Sequence, residues 1–121
     1  MNSELPLAAD KKLTITYRVE PGCLGPQGSD HITMFCRVAQ KEFEPVESDV
    51  ISWVIVPRND KLQPEMQYAI AGKKISLEQA EKYLILFEKD LDEIEEDFDG
   101  RIAELIEKFL KAVNSEQCNE R

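Results

Sequence analysis

The C-terminal third of the chain carries the most regular pattern in the sequence. Over residues 77–98, apolar side chains recur at alternating steps of three and four, which places them on one face of a helix. The register shifts at Asp99 and Gly100, and the pattern then continues to Val113. One helix over residues 77–113 would be about 55 Å long, which exceeds the width of a compact domain of this size. We therefore expect the helix either to break at Gly100 or to project from the domain.

Three shorter segments predict strands. Residues 12–20 alternate apolar and polar side chains, which indicates a strand with one buried face. Residues 50–56 are almost continuously β-branched or aromatic, as is typical of a central strand covered on both faces. Residues 66–70 alternate again, and Gly72 closes this third strand. Ser76, with Gln79 three residues later, forms a capping-box pattern that predicts the start of the C-terminal helix.

A loop and a helix separate the first two predicted strands. Residues 21–28 are rich in Gly and Pro and predict a loop. Ser29 or Asp30 can cap the helix that follows, whose apolar residues have helical spacing to about Glu44, and Pro45 ends it.

The order of elements is therefore β-α-β-β-α, with a further helix if the chain breaks at Gly100. It predicts an α+β fold, a two-layer sandwich with a three-stranded mixed sheet in the order 1-2-3, packed by a crossover helix and the C-terminal helical segment. We expect a flexible arm at 1–11, one domain at 12–114 and a flexible tail at 115–121. The second face of the central strand needs cover, either from the segment after Gly100 or from another subunit.

The charge of the chain limits its partners. A formal net charge of −9 argues against direct binding of nucleic acid or of an anionic membrane. The first ten residues lack the features of a secretory signal, and no apolar run is long enough to span a bilayer, so we expect a cytoplasmic protein. The three cysteines have no paired spacing, and we expect neither a metal site nor a cofactor.

One alternative is a small thiol-dependent enzyme. Cys23 lies in the predicted loop and His31, the only histidine, lies in the first turn of the helix that follows. No acid is evident to orient the imidazole, and the loop lacks the spacing of a phosphate-binding or dinucleotide-binding motif. We therefore interpret the loop as a connector and expect no catalytic residues.

Residues 88–99 form the most acidic stretch of the chain. Asp97 to Ile102 resembles the middle of an EF-hand calcium loop, but the closing glutamate of that family is replaced by Ile106. The same carboxylates could mimic nucleic acid for a basic DNA-binding protein, or they could be the solvated back of an amphipathic helix.

These observations favour a non-catalytic protein-interaction or regulatory module. It would bind a protein partner such as a basic protein, or a second copy of itself as a homodimer, through the C-terminal helical segment or an open sheet face. The residues predicted to contact that partner are Leu91, Asp92, Glu95, Glu96, Asp99 and Val54.

Overall fold

The computed structural model describes residues 6–119, with side chains up to residue 113. The described part of the chain has a mixed α+β fold with three helices and a four-stranded mixed sheet. The strands are β1 (Leu13–Val19), β2 (Ile51–Pro57), β3 (Met66–Ile70) and β4 (Lys73–Ile75). The helices are α1 (Gly28–Phe43), α2 (Leu77–Ile85) and α3 (Leu91–Asn119).

The strand order is β2-β1-β3-β4, which corrects the predicted order 1-2-3. The central strand is β1, which pairs in parallel with β2 and antiparallel with β3. The apolar sequence of β2 predicts a central strand that is covered on both faces. In the structure, β2 is instead an edge strand. Its inner-face residues Trp53 and Ile55 are buried, whereas Val54 on the other face is only partly buried. Val50, which extended the apolar run, is buried in the turn before the strand.

The fourth strand was missed because it is short and carries two lysines. Lys73 and Lys74 are exposed, so β4 has no alternation of buried and exposed residues to reveal it. A two-residue turn of Ala71 and Gly72 joins it to β3, and both turn residues have positive φ, at 54° and 81°. Positive φ at both positions is the geometry of a type I′ hairpin turn.

All three helices bury their apolar residues against one face of the sheet. The residues of β1 on this inner face, Leu13, Ile15, Tyr17 and Val19, form one core cluster with residues of β2, β3 and the helices. Phe98 of α3 lies at the centre of an aromatic group, with its ring stacked on Trp53 at a centroid distance of 4.9 Å. The opposite face, which carries Thr16 and Val54, is only partly buried.

The C-terminal helical segment breaks at residues 86–90 rather than at Gly100. Glu88 has a φ of 61°, and Lys89 N donates to Leu84 O (3.0 Å) while Glu88 N donates to Ile85 O (2.9 Å), which is the Schellman pattern of a helix end. α3 then continues through Gly100, because Phe98 and Ile102 on either side are buried and hold that part of the helix on the core.

The first helix also starts earlier than predicted. The residue before it is Gln27 rather than Ser29 or Asp30, and Gly28 is the first helical residue. A Cβ atom at Gly28 would lie 1.8 Å from Pro21 O, so this close approach of the backbone requires glycine.

The predicted terminal segments lie partly within the described residues. Leu7, from the predicted arm, is buried, and its N donates to Asp49 O (2.9 Å). At the other end, α3 extends to Asn119, into the predicted tail. Residues 1–5 and 120–121 of these segments lie outside the described residues.

Candidate functional site

The first turns of α3 carry the predicted acidic residues at helical spacing. Asp92, Glu95, Glu96 and Asp99 follow one another at intervals of one to three residues and therefore share one side of the helix. Asp90 begins the helix, because its Oδ1 accepts a hydrogen bond from Asp92 N (3.0 Å). The helix dipole favours the carboxylates in the first turn, Asp92 and Glu93.

A tyrosine of the sheet fixes one of these carboxylates. The hydroxyl of Tyr68, on β3, donates a hydrogen bond to Glu95 Oε2. Burial raises the pKa of Glu95, and the nearby carboxylates of Asp99, Asp92 and Glu81 raise it further, while the hydrogen bond from Tyr68 acts in the opposite direction. The negative charge of Glu95 is therefore held in an unfavourable place.

Nearby carboxylates also raise the pKa of a second tyrosine, Tyr17 on β1. Burial, above all, raises the pKa of Tyr17 to about 12, and the charges of Glu65 and Asp99 contribute. Carboxylates from the loop before β3, from α2 and from α3 thus influence the same pair of inner-face tyrosines. We call this set the acidic cluster, and its members are Glu65, Glu81, Asp92, Glu95 and Asp99.

No ion pair neutralises the acidic cluster within the part of the chain that the structure describes. The ion pairs found there are Arg58–Glu20, Lys89–Glu47, Lys89–Asp49 and Arg101–Asp97. None of them includes a member of the cluster. Asp92, Asp99 and the neighbouring Glu96 are exposed, so their charges are accessible from solvent.

The six residues predicted to contact a partner occupy three places. Asp92, Glu95, Glu96 and Asp99 lie together on α3. Leu91, although adjacent to them, is only 2% exposed and belongs to the core. Val54 lies on the opposite face of the sheet, away from the helices. The acidic residues therefore form one surface, and Val54 belongs to another.

Sequence reasoning found the acidic side of α3 but missed Tyr17, Tyr68, Glu65 and Glu81. The two tyrosines occupy inner-face positions of neighbouring strands, where a buried hydroxyl needs a hydrogen-bond partner. A tyrosine at an inner-face position of a strand therefore predicts a hydrogen-bond acceptor, such as a carboxylate, on the helix that packs over the sheet.

The structure does not join Cys23 and His31. Cys23 is exposed in a short 3-10 turn, and within the described residues no hydrogen bond links its thiol to the imidazole. His31 Nε2 is buried without a hydrogen-bond partner, and the ring packs edge-on against Phe109 at a centroid distance of 6.0 Å. His31 also lines an open cavity of about 340 Å³, together with Leu24 and Leu110.

The remaining described thiol is buried. Burial raises the pKa of Cys36 to about 11, so this thiol stays protonated at neutral pH. The backbone of Cys118 lies in α3, but its side chain lies outside the described part of the structure.

The residues of the EF-hand resemblance are helical. Asp97, Asp99 and Gly100 all lie within α3, so they do not form the loop that encloses calcium in that family. Among the described residues, no group of three or more His, Cys, Asp or Glu side chains is placed to hold a metal ion. None of the described helices has the length and apolar character needed to cross a membrane.

Comparison with known proteins gives no match to a family model, to a curated protein or to a solved structure. The functional argument therefore depends on the geometry of the chain itself.

Proposed function

We propose that the protein is a non-catalytic protein-interaction module that binds a basic partner through the acidic cluster. The observation that carries this proposal is the row of exposed carboxylates on one side of α3, Asp92, Glu96 and Asp99 beside Glu95, which have no ion pair among the described residues. Burial raises the pKa of Glu95, and the like charges of Asp99 and Asp92 raise it further, so its negative charge costs free energy in the free protein. Lysine or arginine side chains of a partner would remove that cost on binding.

The geometry suits recognition of charge. Tyr68 holds Glu95 in one position, so this acceptor is already ordered before a partner arrives. Asp92, Glu96 and Asp99 are exposed beside it and would form the solvent-accessible part of the contact. The net charge of −9 would speed the approach of a basic partner and repel acidic competitors.

The test is salt-sensitive capture of binding proteins from a native cytosolic extract, followed by reconstitution with the purified partner. The test variant neutralises Asp92, Glu95, Glu96 and Asp99 as amides. Its matched control neutralises four exposed carboxylates elsewhere, namely Glu42, Glu44, Glu104 and Glu107. Both variants have the same net charge, so only a local surface distinguishes them. Loss of binding in the test variant alone supports the proposal, and equal weakening in both contradicts it.

A nucleic-acid mimic is a more specific form of the same proposal. It requires the partner to be a DNA-binding protein whose basic groove accepts either the acidic cluster or DNA. Duplex DNA should then displace the protein from the partner in competition. Simultaneous binding of both would exclude mimicry and leave the interaction module standing.

A second candidate function is self-association through the open face of the sheet. The partly buried Val54 and Val56 on that face, at the β2 edge, support it. A Val54→Lys variant should then dissociate into monomers in sedimentation equilibrium. Leu62→Lys, at a position that is 93% exposed in the turn before β3, is the control and should leave the mass unchanged. A wild-type protein that is monomeric at all concentrations would contradict this candidate.

We further propose that the protein acts in the cytoplasm. Cys23 and Cys36 are both free thiols in the structure, one exposed and one buried. Free thiols persist in the reducing cytoplasm, whereas an oxidising compartment would expose Cys23 to disulfide formation.

A further inference from the structure

Glu95 differs from the other acidic residues of α3 in its surroundings. Its side chain is partly buried, whereas Asp92, Glu96 and Asp99 are exposed. The hydroxyl that donates to Glu95 Oε2 belongs to Tyr68, which is only 9% exposed and lies on the inner face of β3. The charge of Glu95 therefore lies at the contact between helix and sheet, where it is less screened by water than an exposed carboxylate.

Carboxylates approach Glu95 from two helices. Asp92 lies three residues before it and Asp99 four residues after it, so both share its side of α3. Glu81 acts on it from α2, and β3 contributes only the neutral hydroxyl of Tyr68. The lysines of the adjoining elements are exposed and form no ion pair among the described residues; they are Lys73 and Lys74 of β4 and Lys82 of α2. No described cation therefore neutralises this group of carboxylates.

These surroundings determine where Glu95 takes up a proton. Burial and the three neighbouring carboxylates raise its pKa, and the hydrogen bond from Tyr68 only partly opposes them. Burial also raises the pKa of Tyr68, and its contact with Glu95 adds to this, so the hydroxyl remains the donor. Glu95 thus becomes neutral above the ordinary glutamate pKa of about 4.3. In that form it offers no charge to a basic side chain.

We propose that Glu95 is a pH-sensitive switch of the acidic cluster, which binds a basic partner while Glu95 is charged and releases it when Glu95 accepts a proton. This inference rests on the proposed function and adds its regulation. Tyr68 is the positioning residue of the switch, because its hydroxyl stabilises the charged carboxylate in a partly buried place. By linkage, a bound cation and a proton on Glu95 exclude each other.

The first test measures binding of an oligolysine peptide by isothermal titration calorimetry between neutral pH and about pH 5, where the lysines stay charged. The affinity of the wild type should fall about tenfold as Glu95 loses its charge-assisted contact. Glu95→Gln should bind weakly at neutral pH and lack this dependence on pH. Glu104→Gln, at an exposed position of α3 outside the acidic cluster, is the control and should keep the wild-type profile. Trp53 fluorescence verifies that each protein stays folded.

Two further variants should move the midpoint of the switch in opposite directions. Tyr68→Phe removes the hydrogen bond that favours the carboxylate, so the midpoint should shift to higher pH. Asp99→Asn removes a like charge, so the midpoint should shift to lower pH. The Glu95 carboxyl carbon followed by NMR gives the midpoint directly, and the calorimetric profile should shift with it. Asp99 is exposed, so its variant provides the test even where Tyr68→Phe fails to fold.

The outcomes separate the switch from the function on which it rests. If oligolysine does not bind the wild type at neutral pH, the proposed function is wrong and the switch falls with it. If oligolysine binds but the wild type and Glu95→Gln share one pH profile, only the switch is overturned. An Asp99→Asn midpoint that stays in place or moves to higher pH would also overturn it.

Discussion

Phe98 is the residue of α3 whose loss should cost the most stability. Its side chain is 1% exposed, and its ring centroid lies 5.0 Å from Tyr17, 4.6 Å from Phe43 and 4.9 Å from Trp53. A Phe98→Ala substitution should lower the free energy of unfolding by about 3–5 kcal/mol through lost burial and the remaining cavity. The three aromatic contacts place the expected value at the upper end. Since small domains have a total stability of about 5–15 kcal/mol, the variant should be close to unfolding.

The assay is urea denaturation followed by the fluorescence of Trp53. Trp53 is the only tryptophan of the chain and lies directly against the Phe98 ring, so its emission reports this part of the core. Phe87→Ala is the control, because Phe87 is only partly buried and its one aromatic contact is with Tyr83 at 5.3 Å. We expect a loss of about 1–2 kcal/mol there. Equal losses in both variants would refute the central position of Phe98.

Three further predictions concern the turns and the acidic cluster. Glu88→Gly should stabilise the protein by about 0.5–1 kcal/mol in thermal or urea unfolding, because glycine adopts positive φ without strain, whereas Glu93→Gly inside α3 should destabilise it by about 1 kcal/mol. Ala71→Asn should also stabilise the protein, by about 0.5–1 kcal/mol, since asparagine is favoured at this turn position, and an unchanged melting temperature would contradict the type I′ assignment. Glu95→Gln can still accept the hydrogen bond of Tyr68 and should raise the free energy of unfolding at neutral pH. Because the pKa of Glu95 is raised in the folded state, protonation favours folding, so this advantage should shrink as the pH falls through that pKa, and a difference that is independent of pH would contradict it.

Features that depend on a few neighbouring residues were predictable from the sequence. The capping box at Ser76 and Gln79 is confirmed, with Gln79 N donating to Ser76 Oγ (3.1 Å) and Ser76 N donating to Gln79 Oε1 (3.0 Å). The alternation that predicted β1 also matches its burial, because Leu13 and Ile15 are buried while Thr14 between them is partly exposed. The capping box and the alternation each depend on residues that are at most three positions apart in the sequence. Both were therefore predictable without knowledge of the tertiary packing.

The strand order was not predictable in the same way. An apolar run such as β2 predicts a central strand, but part of its apolar character serves the turn before it and the packing of α1. The central strand, β1, instead carries Thr14, Thr16 and Arg18 on its second face. Arg18 is tolerated there because it donates hydrogen bonds to Pro64 O (2.8 Å) and Gln67 Oε1 (3.0 Å). Such long-range pairing leaves no periodic signal in the strand itself.

The position of the helix break explains why the acidic cluster includes a residue of α2 as well as residues of α3. In an unbroken helix, Glu81 and Glu95 would lie 14 residues apart along one axis, a separation of about 21 Å. The positive φ of Glu88 ends the first helix, and the capping interaction of Asp90 starts the second, so α2 can pack against α3. Glu81 is then close enough to raise the pKa of Glu95. The sequence showed a discontinuity at Gly100, but the break that builds the candidate site lies twelve residues earlier, at a glutamate in a conformation that usually selects glycine.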